Sequence, residues 1–180
     1  SGTLNLSSGE AIAAPTLTLS GGTLTGSDNV TVGGMTTWTG GTMSGPGSTT
    51  ASGELSIGGQ DPKSLDGRAL NNTATATWEG LGGSLDRIRT GNGASINNSG
   101  TWNDRTGNGA HIANDLGGAM STFNNTGNYV KSLNSGSMSI DIPYNVSGGG
   151  VTSVQTGTLR LTGGGTSSPL RTCVSAHRAR

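Results

Sequence analysis

Apolar and polar residues alternate along this chain in very short runs. Leu4-Asn5-Leu6, Leu17-Thr18-Leu19, Val30-Thr31-Val32, Leu55-Ser56-Ile57 and Leu159-Arg160-Leu161 each set two aliphatic side chains around one polar residue. Period-two runs bounded by Gly, Asn, Asp or Ser predict short, half-buried strands. No stretch sustains the three- and four-residue spacing of an amphipathic helix, so no helix is expected. The segment Pro62-Lys63-Ser64-Leu65-Asp66 interrupts the pattern with a proline and two charges, and reads as an outward loop.

The strands belong to repeats. An apolar residue followed by Asn recurs at Leu70-Asn71-Asn72, Ile96-Asn97-Asn98, Phe123-Asn124-Asn125 and, with the second Asn lost, Tyr144-Asn145-Val146. An aromatic follows three of these, at Trp78, Trp102 and Tyr129. Reading on from the tryptophans lays Trp78 over Trp102 and Ile88 over Ile112. Arg89 through Ile96 is echoed sixteen residues later by Arg105 through Ile112, with Ser95 replaced by His111. In the first third, Gly21-Gly22-Thr23-Leu24-Thr25-Gly26 returns as Gly40-Gly41-Thr42-Met43-Ser44-Gly45. Repeats of about 19 to 27 residues made of short strands predict a parallel β-solenoid of roughly eight coils. Leu70, Ile96, Phe123 and Tyr144 then form one interior column. Asn71, Asn97, Asn124 and Asn145 form its neighbour, which the tolerance of Asn for left-handed backbone places at a turn.

Composition sharpens this. Gly, Thr, Ser and Asn make up more than half of the 180 residues, and hydrophobic residues only 29%. That is too little to fill the wide core of an ordinary domain of this length. A solenoid core is one side chain deep per level, and ladders between coils satisfy the backbone. Ten basic residues balance ten acidic ones, and aromatics are 3%, so the electrostatic footprint of a nucleic-acid binder is missing. No apolar run is long enough for membrane insertion. The chain divides into a solenoid over 1–166 and a basic tail over 167–180, the latter expected to be disordered or a cap. The one cysteine, Cys173, lies in that tail and permits no intrachain disulfide.

The Gly-Gly-Thr-Leu-Thr-Gly and Asn-Asn-Ser-Gly-Thr-Trp units resemble repeats in the passenger and stalk regions of large bacterial surface and secreted proteins, filamentous-haemagglutinin and autotransporter-like. The resemblance implies a right-handed parallel β-helix, an extracellular or cell-surface location, and a part cut from a longer chain. It specifies fold far better than function, since such rods serve as adhesins, enzymes and inert stalks. The expected role is structural or adhesive, with glycans or, through the solenoid ends, further copies of the rod as partners, the chain being either a homo-oligomer or a fragment of a longer chain.

Candidate chemistry is sparse. His111, with Asp104 and Asp115, offers a donor set for Zn²⁺ or Ca²⁺ and the one candidate catalytic residue for a phosphoester hydrolase. The repeat sets Arg87 one coil before His111, which opposes a metal, and Lys131 beside Asp104, which suggests an exposed ion pair. No cofactor is therefore expected. Asp86, Arg87, Arg89 and Arg105 suggest the acid and base groups of a polysaccharide lyase or hydrolase, but the acids are dispersed. Gly91-Asn92-Gly93 and Gly107-Asn108-Gly109 lack the Lys-Ser/Thr of a phosphate loop and read as turns. Trp78, Trp102 and Tyr129 form either an outward strip for stacking on sugars or part of the core.

Overall fold

In the computed structural model, which describes residues 2–80, 82–83 and 85–167, the chain winds as a β-solenoid, with no helix among those residues. Each turn of the winding gives one strand to each of three parallel sheets. The first face has eight strands, from Thr3–Asn5 to Thr158–Leu161; the second runs from Ile12–Ala14 to Tyr144–Val146, and the third from Leu17–Leu19 to Val151–Val154, with seven each. Seven complete turns and the opening strand of an eighth result, an arrangement consistent with a right-handed parallel β-helix. Eight strands at the usual spacing give a rod about 34 Å long. Of the basic tail, only Ser167 is described, in a parallel bridge to Val146. Cys173 and the rest of 168–180 lie outside the described residues.

Register follows the apolar columns. Leu70 pairs with Ile96, Ile96 with Phe123, and Phe123 with Tyr144, so the predicted interior column is formed. All four side chains are buried. On the third face Leu19, Trp38, Ile57 and Trp78 stack in successive turns. Toward the other end the core becomes aromatic. Trp102 meets Phe123 edge-on at 5.2 Å, and Phe123 lies 5.9 Å from Tyr129 and 5.3 Å from Tyr144. Edge-on and tilted contacts of this kind add to the burial of the rings themselves.

Along the second face, the strands Ala69–Asn72, Ser95–Asn98 and Thr122–Asn125 carry two asparagine ladders, the outer of which continues into Tyr144–Val146. Asn71, Asn97, Asn124 and Asn145 do stack, but within strands rather than at a left-handed turn. Asn92 is the one asparagine with positive φ among the described residues. In this outer ladder Asn97 donates to Asn71 at 2.8 Å, Asn124 to Asn97 at 2.8 Å and Asn145 to Asn124 at 2.9 Å. The second Asn of each pair builds an inner ladder that the sequence reading did not assign. Asn72 donates to Asn98 and Asn98 to Asn125, both at 2.7 Å, with all three buried. The two ladders thus donate in opposite directions along the rod. Just beyond them the backbones of Ala74, Gly100 and Gly127 stack so closely that a Cβ on Gly100 would collide with the Ala74 carbonyl. This explains the glycine in the Asn-Asn-x-Gly unit.

Two expectations about register are corrected. Lys63–Asp66 is not an outward loop but a first-face strand between Gly41–Ser44 and Arg87–Gly91. Its Lys63 and Leu65 point inward at 0% exposure. The Lys63 ammonium turns back to the carbonyls of Gly58, Gly59 and Asp61 at 2.8, 3.2 and 2.9 Å, so a charged residue occupies an apolar position without losing its hydrogen bonds. The tryptophans, moreover, do not stack on one another. Ala76 pairs with Trp102, and Trp78 with Asp104, two residues away from the alignment drawn through the rings. Ile88 does pair with Ile112. The third face therefore advances 26 residues where the first advances 24, and the turn between them absorbs the difference. The echo of Arg89–Ile96 in Arg105–Ile112 is likewise no coil period, because Arg89 lies beside Ala113.

Candidate functional site

The residues singled out for metal binding are not brought together. His111 sits on the first face beside Arg87, with its Nδ1 3.2 Å from the Gly109 carbonyl. Asp115 accepts from Arg89 at 3.2 Å and lies 3.8 Å from Arg87. Asp104 belongs to the third face and points into the core at 0% exposure. Among the described residues no group of three His, Cys, Asp or Glu side chains is placed to hold a metal. The arginines proposed for a lyase groove are also dispersed, with Arg87 and Arg89 on Asp115 and Arg105 on Glu79.

Asp104 is the largest departure from expectation. Its pairing with Lys131 was expected at the surface, yet both side chains are fully buried, with Nζ 3.6 Å from Oδ2. The Tyr129 hydroxyl donates to the same Oδ2 at 2.9 Å. Oδ1 accepts from the Thr106 backbone N–H at 3.0 Å and from the Thr106 hydroxyl at 2.6 Å. Lys131 Nζ in turn donates to the Thr106 carbonyl at 3.1 Å. Burial first, and then the Asp104 charge, push the Tyr129 phenol well above its ordinary pKa. Sequence alone gave half the signal: the two residues are paired on adjacent strands, but their inward phase follows only from the true register of Trp78.

Trp78, Trp102 and Tyr129 are all 0% exposed. The fold thus adopts the interior alternative for these rings, which leaves no aromatic strip of these three on the outside. The indole N–H groups of Trp38, Trp78 and Trp102 have no acceptor among the described residues, so apolar packing alone retains them.

A cleft of about 490 Å³ lies at the corner where the third face turns into the first. Its walls come from Gln60, Glu79, Asp86, Arg105, Leu133 and Asn134, contributed by four successive turns. Arg105 and Glu79 form an ion pair at 2.8 Å across adjacent coils, with 40% and 61% of their side chains exposed. Asn134 donates to the Arg105 carbonyl at 2.8 Å. Asp86 is buried and accepts from the Gly82 N–H. Leu133 stands 58% exposed with φ of 72°, a conformation costly for a branched side chain. A guanidinium, a carboxylate and an amide beside an apolar patch can recognise a hydroxylated ligand of sugar size. Comparison with protein-family models, characterised proteins and solved structures gives no match to this chain.

Proposed function

We propose that this chain is a structural and adhesive β-solenoid module of an extracellular bacterial protein, holding glycan in the corner cleft. The observation that supports it is the cleft itself: exposed Arg105 and Glu79 are displayed across coils by a continuous buried core that runs from Leu19 to Tyr144. Such a core gives a rigid platform, and rigid elements present binding groups better than loops do. The extracellular and bacterial assignment rests on the resemblance of the Gly-Gly-Thr and Asn-Asn repeats to those of surface and secreted proteins. Association with further rods has its own support at the first coil, where Leu4 is 55% exposed on the rim of a groove that also includes Leu17, Leu19 and Leu24. An added coil, whichever polypeptide supplies it, would bury that edge.

Glycan-array binding with Arg105→Ala and Glu79→Gln tests the reading. Wild-type protein is expected to bind a restricted set of oligosaccharides, and each substitution to weaken binding about tenfold, the worth of one charged hydrogen bond. Equal binding by wild type and both variants would remove the cleft from the account. Metal-dependent turnover lost on His111→Ala would replace the adhesive reading with a hydrolase.

A further inference from the structure

The interior cluster around Asp104 has the parts of a reaction centre rather than those of a stabilising ion pair. Asp104 and Lys131 are direct partners on neighbouring parallel strands and point to the same side. Both are wholly buried, which makes separate charges costly. The pair is also poorly bonded. Nζ lies 3.6 Å from the carboxylate, beyond hydrogen-bond range, and among the described residues its one acceptor is the Thr106 carbonyl. The two carboxylate oxygens meanwhile have different surroundings. Oδ1 is held by two donors from Thr106, the arrangement that stabilises an oxyanion. Oδ2 faces a phenol hydroxyl and the amine.

We propose that Lys131 and Asp104 condense to an intramolecular isopeptide bond that clamps two consecutive coils together. The ammonium passes one proton to Oδ2, giving a neutral amine and a neutral acid at the contact distance already present. The Nζ lone pair then attacks Cγ, forming the C–N bond and placing negative charge on Oδ1, where the Thr106 N–H and hydroxyl receive it. The C–Oδ2 bond breaks as a further proton leaves nitrogen and reaches Oδ2, relayed by the Tyr129 hydroxyl. One ammonium and one carboxylate become one amide and one water, and no oxidant or outside reactant is needed. Holding the amine against the carboxyl supplies the effective concentration that free lysine and aspartate lack, and loss of both charges removes their burial cost. The reaction does not depend on glycan binding. Its consequence is mechanical, since strands Thr101–Thr106 and Asn128–Lys131 can no longer be peeled apart.

The test is the intact mass of the full-length protein, purified folded and then denatured, followed by tandem mass spectrometry of its digest. The expected mass is that of the sequence less one water, with the loss confined to a branched peptide joining Lys131 to Asp104. Lys131→Met is expected to restore the sequence mass. Tyr129→Phe is expected to leave a folded protein in which the uncrosslinked form persists. A folded wild-type protein with the full sequence mass overturns the proposal. So does a water loss that maps elsewhere, such as a succinimide at Asp66-Gly67, or one that survives Lys131→Met.

Discussion

The two asparagine ladders look equivalent in the sequence but are not equivalent in the fold, and substituting one member of each exposes the difference. Asn98, in the inner ladder, is 1% exposed; it donates to Asn125 Oδ1 at 2.7 Å and to the Asn128 carbonyl at 3.0 Å, and accepts from Asn72 at 2.7 Å. Asn98→Ala therefore takes a donor from two acceptors and an acceptor from Asn72. Asn72 keeps its bond to the Thr101 carbonyl at 3.0 Å, which softens one of these losses. A buried polar atom left without a partner costs about 1–3 kcal/mol, so the loss for Asn98→Ala is about 3–5 kcal/mol. Asn97 also takes part in ladder bonds on both sides, to Asn71 and from Asn124 at 2.8 Å each, but it is only half-buried. Water can replace its partners there, and Asn97→Ala should cost about 1 kcal/mol. With a urea slope of about 2 kcal/mol/M for a protein of this size, the midpoint should fall by about 2 M for Asn98→Ala and about 0.5 M for Asn97→Ala. Equal shifts, or a larger one for Asn97→Ala, would refute the assignment of inner and outer ladders.

Three further outcomes follow from buried polar groups. Arg68, at 0% exposure, donates from Nε to Thr49 at 2.9 Å and from its two terminal nitrogens to the carbonyls of Gly26, Ser44, Asp28 and Ser48 at 2.8–3.2 Å. Arg68→Lys keeps the charge but not the fork, and should lower stability by about 3 kcal/mol in the same urea assay; a change under about 1 kcal/mol would contradict the bonding described. The two tyrosines of the chain are Tyr129 and Tyr144, so absorbance titration of phenolate reads these groups alone. Burial pushes Tyr144 up to about 12 and Tyr129 well above its ordinary value, so no phenolate should form near pH 10 while the protein stays folded. Because Tyr144 is raised, its contribution to stability is complete below pH 10 and is lost as pH rises toward 12. Melting temperatures should fall over that window, and less steeply in Tyr144→Phe. Asp28 behaves in the opposite sense. The Ser8 hydroxyl at 2.7 Å lowers its pKa; burial partly offsets this, and the Ser8 and Gly9 N–H groups reinforce it. Its contribution is therefore present above the ordinary carboxylate value and lost as pH falls through the lower folded value. Melting followed from pH 5 downward should show an acid loss that Asp28→Asn reduces.

What the sequence reveals here depends on how far side-chain type reports direction. The Leu70, Ile96, Phe123 and Tyr144 column was legible because apolar residues recur beside a polar marker and inward phase follows directly from type. Lys63–Asp66 was hidden because a lysine holds an inward position, its charge met by turn carbonyls that no local pattern announces. Trp78 and Trp102 suggest a false register because like residue type does not guarantee spatial alignment: between these two turns the third face advances 26 residues and the first 24. The same slip hid the inward turn of Asp104, and with it the buried cluster. The corner cleft had no local signature, since Gln60, Glu79, Arg105 and Asn134 meet only after four turns are stacked.

The central claim, that successive turns lie in register one above another, is tested most directly by spin-label distances along a single outward column. Ala13, Thr31, Thr50, Asn71, Asn97, Asn124 and Asn145 form such a column through consecutive pairings on the second face. Nitroxides would be placed at Ala13 with Asn97 and at Ala13 with Asn145, each replaced by cysteine in a background with Cys173→Ser. The rungs separating these pairs number four and six, which at the parallel-strand spacing gives about 19 Å and about 29 Å by pulsed dipolar spectroscopy. Distances that rise in this proportion are the predicted result. Distances that are equal, or that grow with sequence separation faster than one strand spacing per turn, would contradict the solenoid.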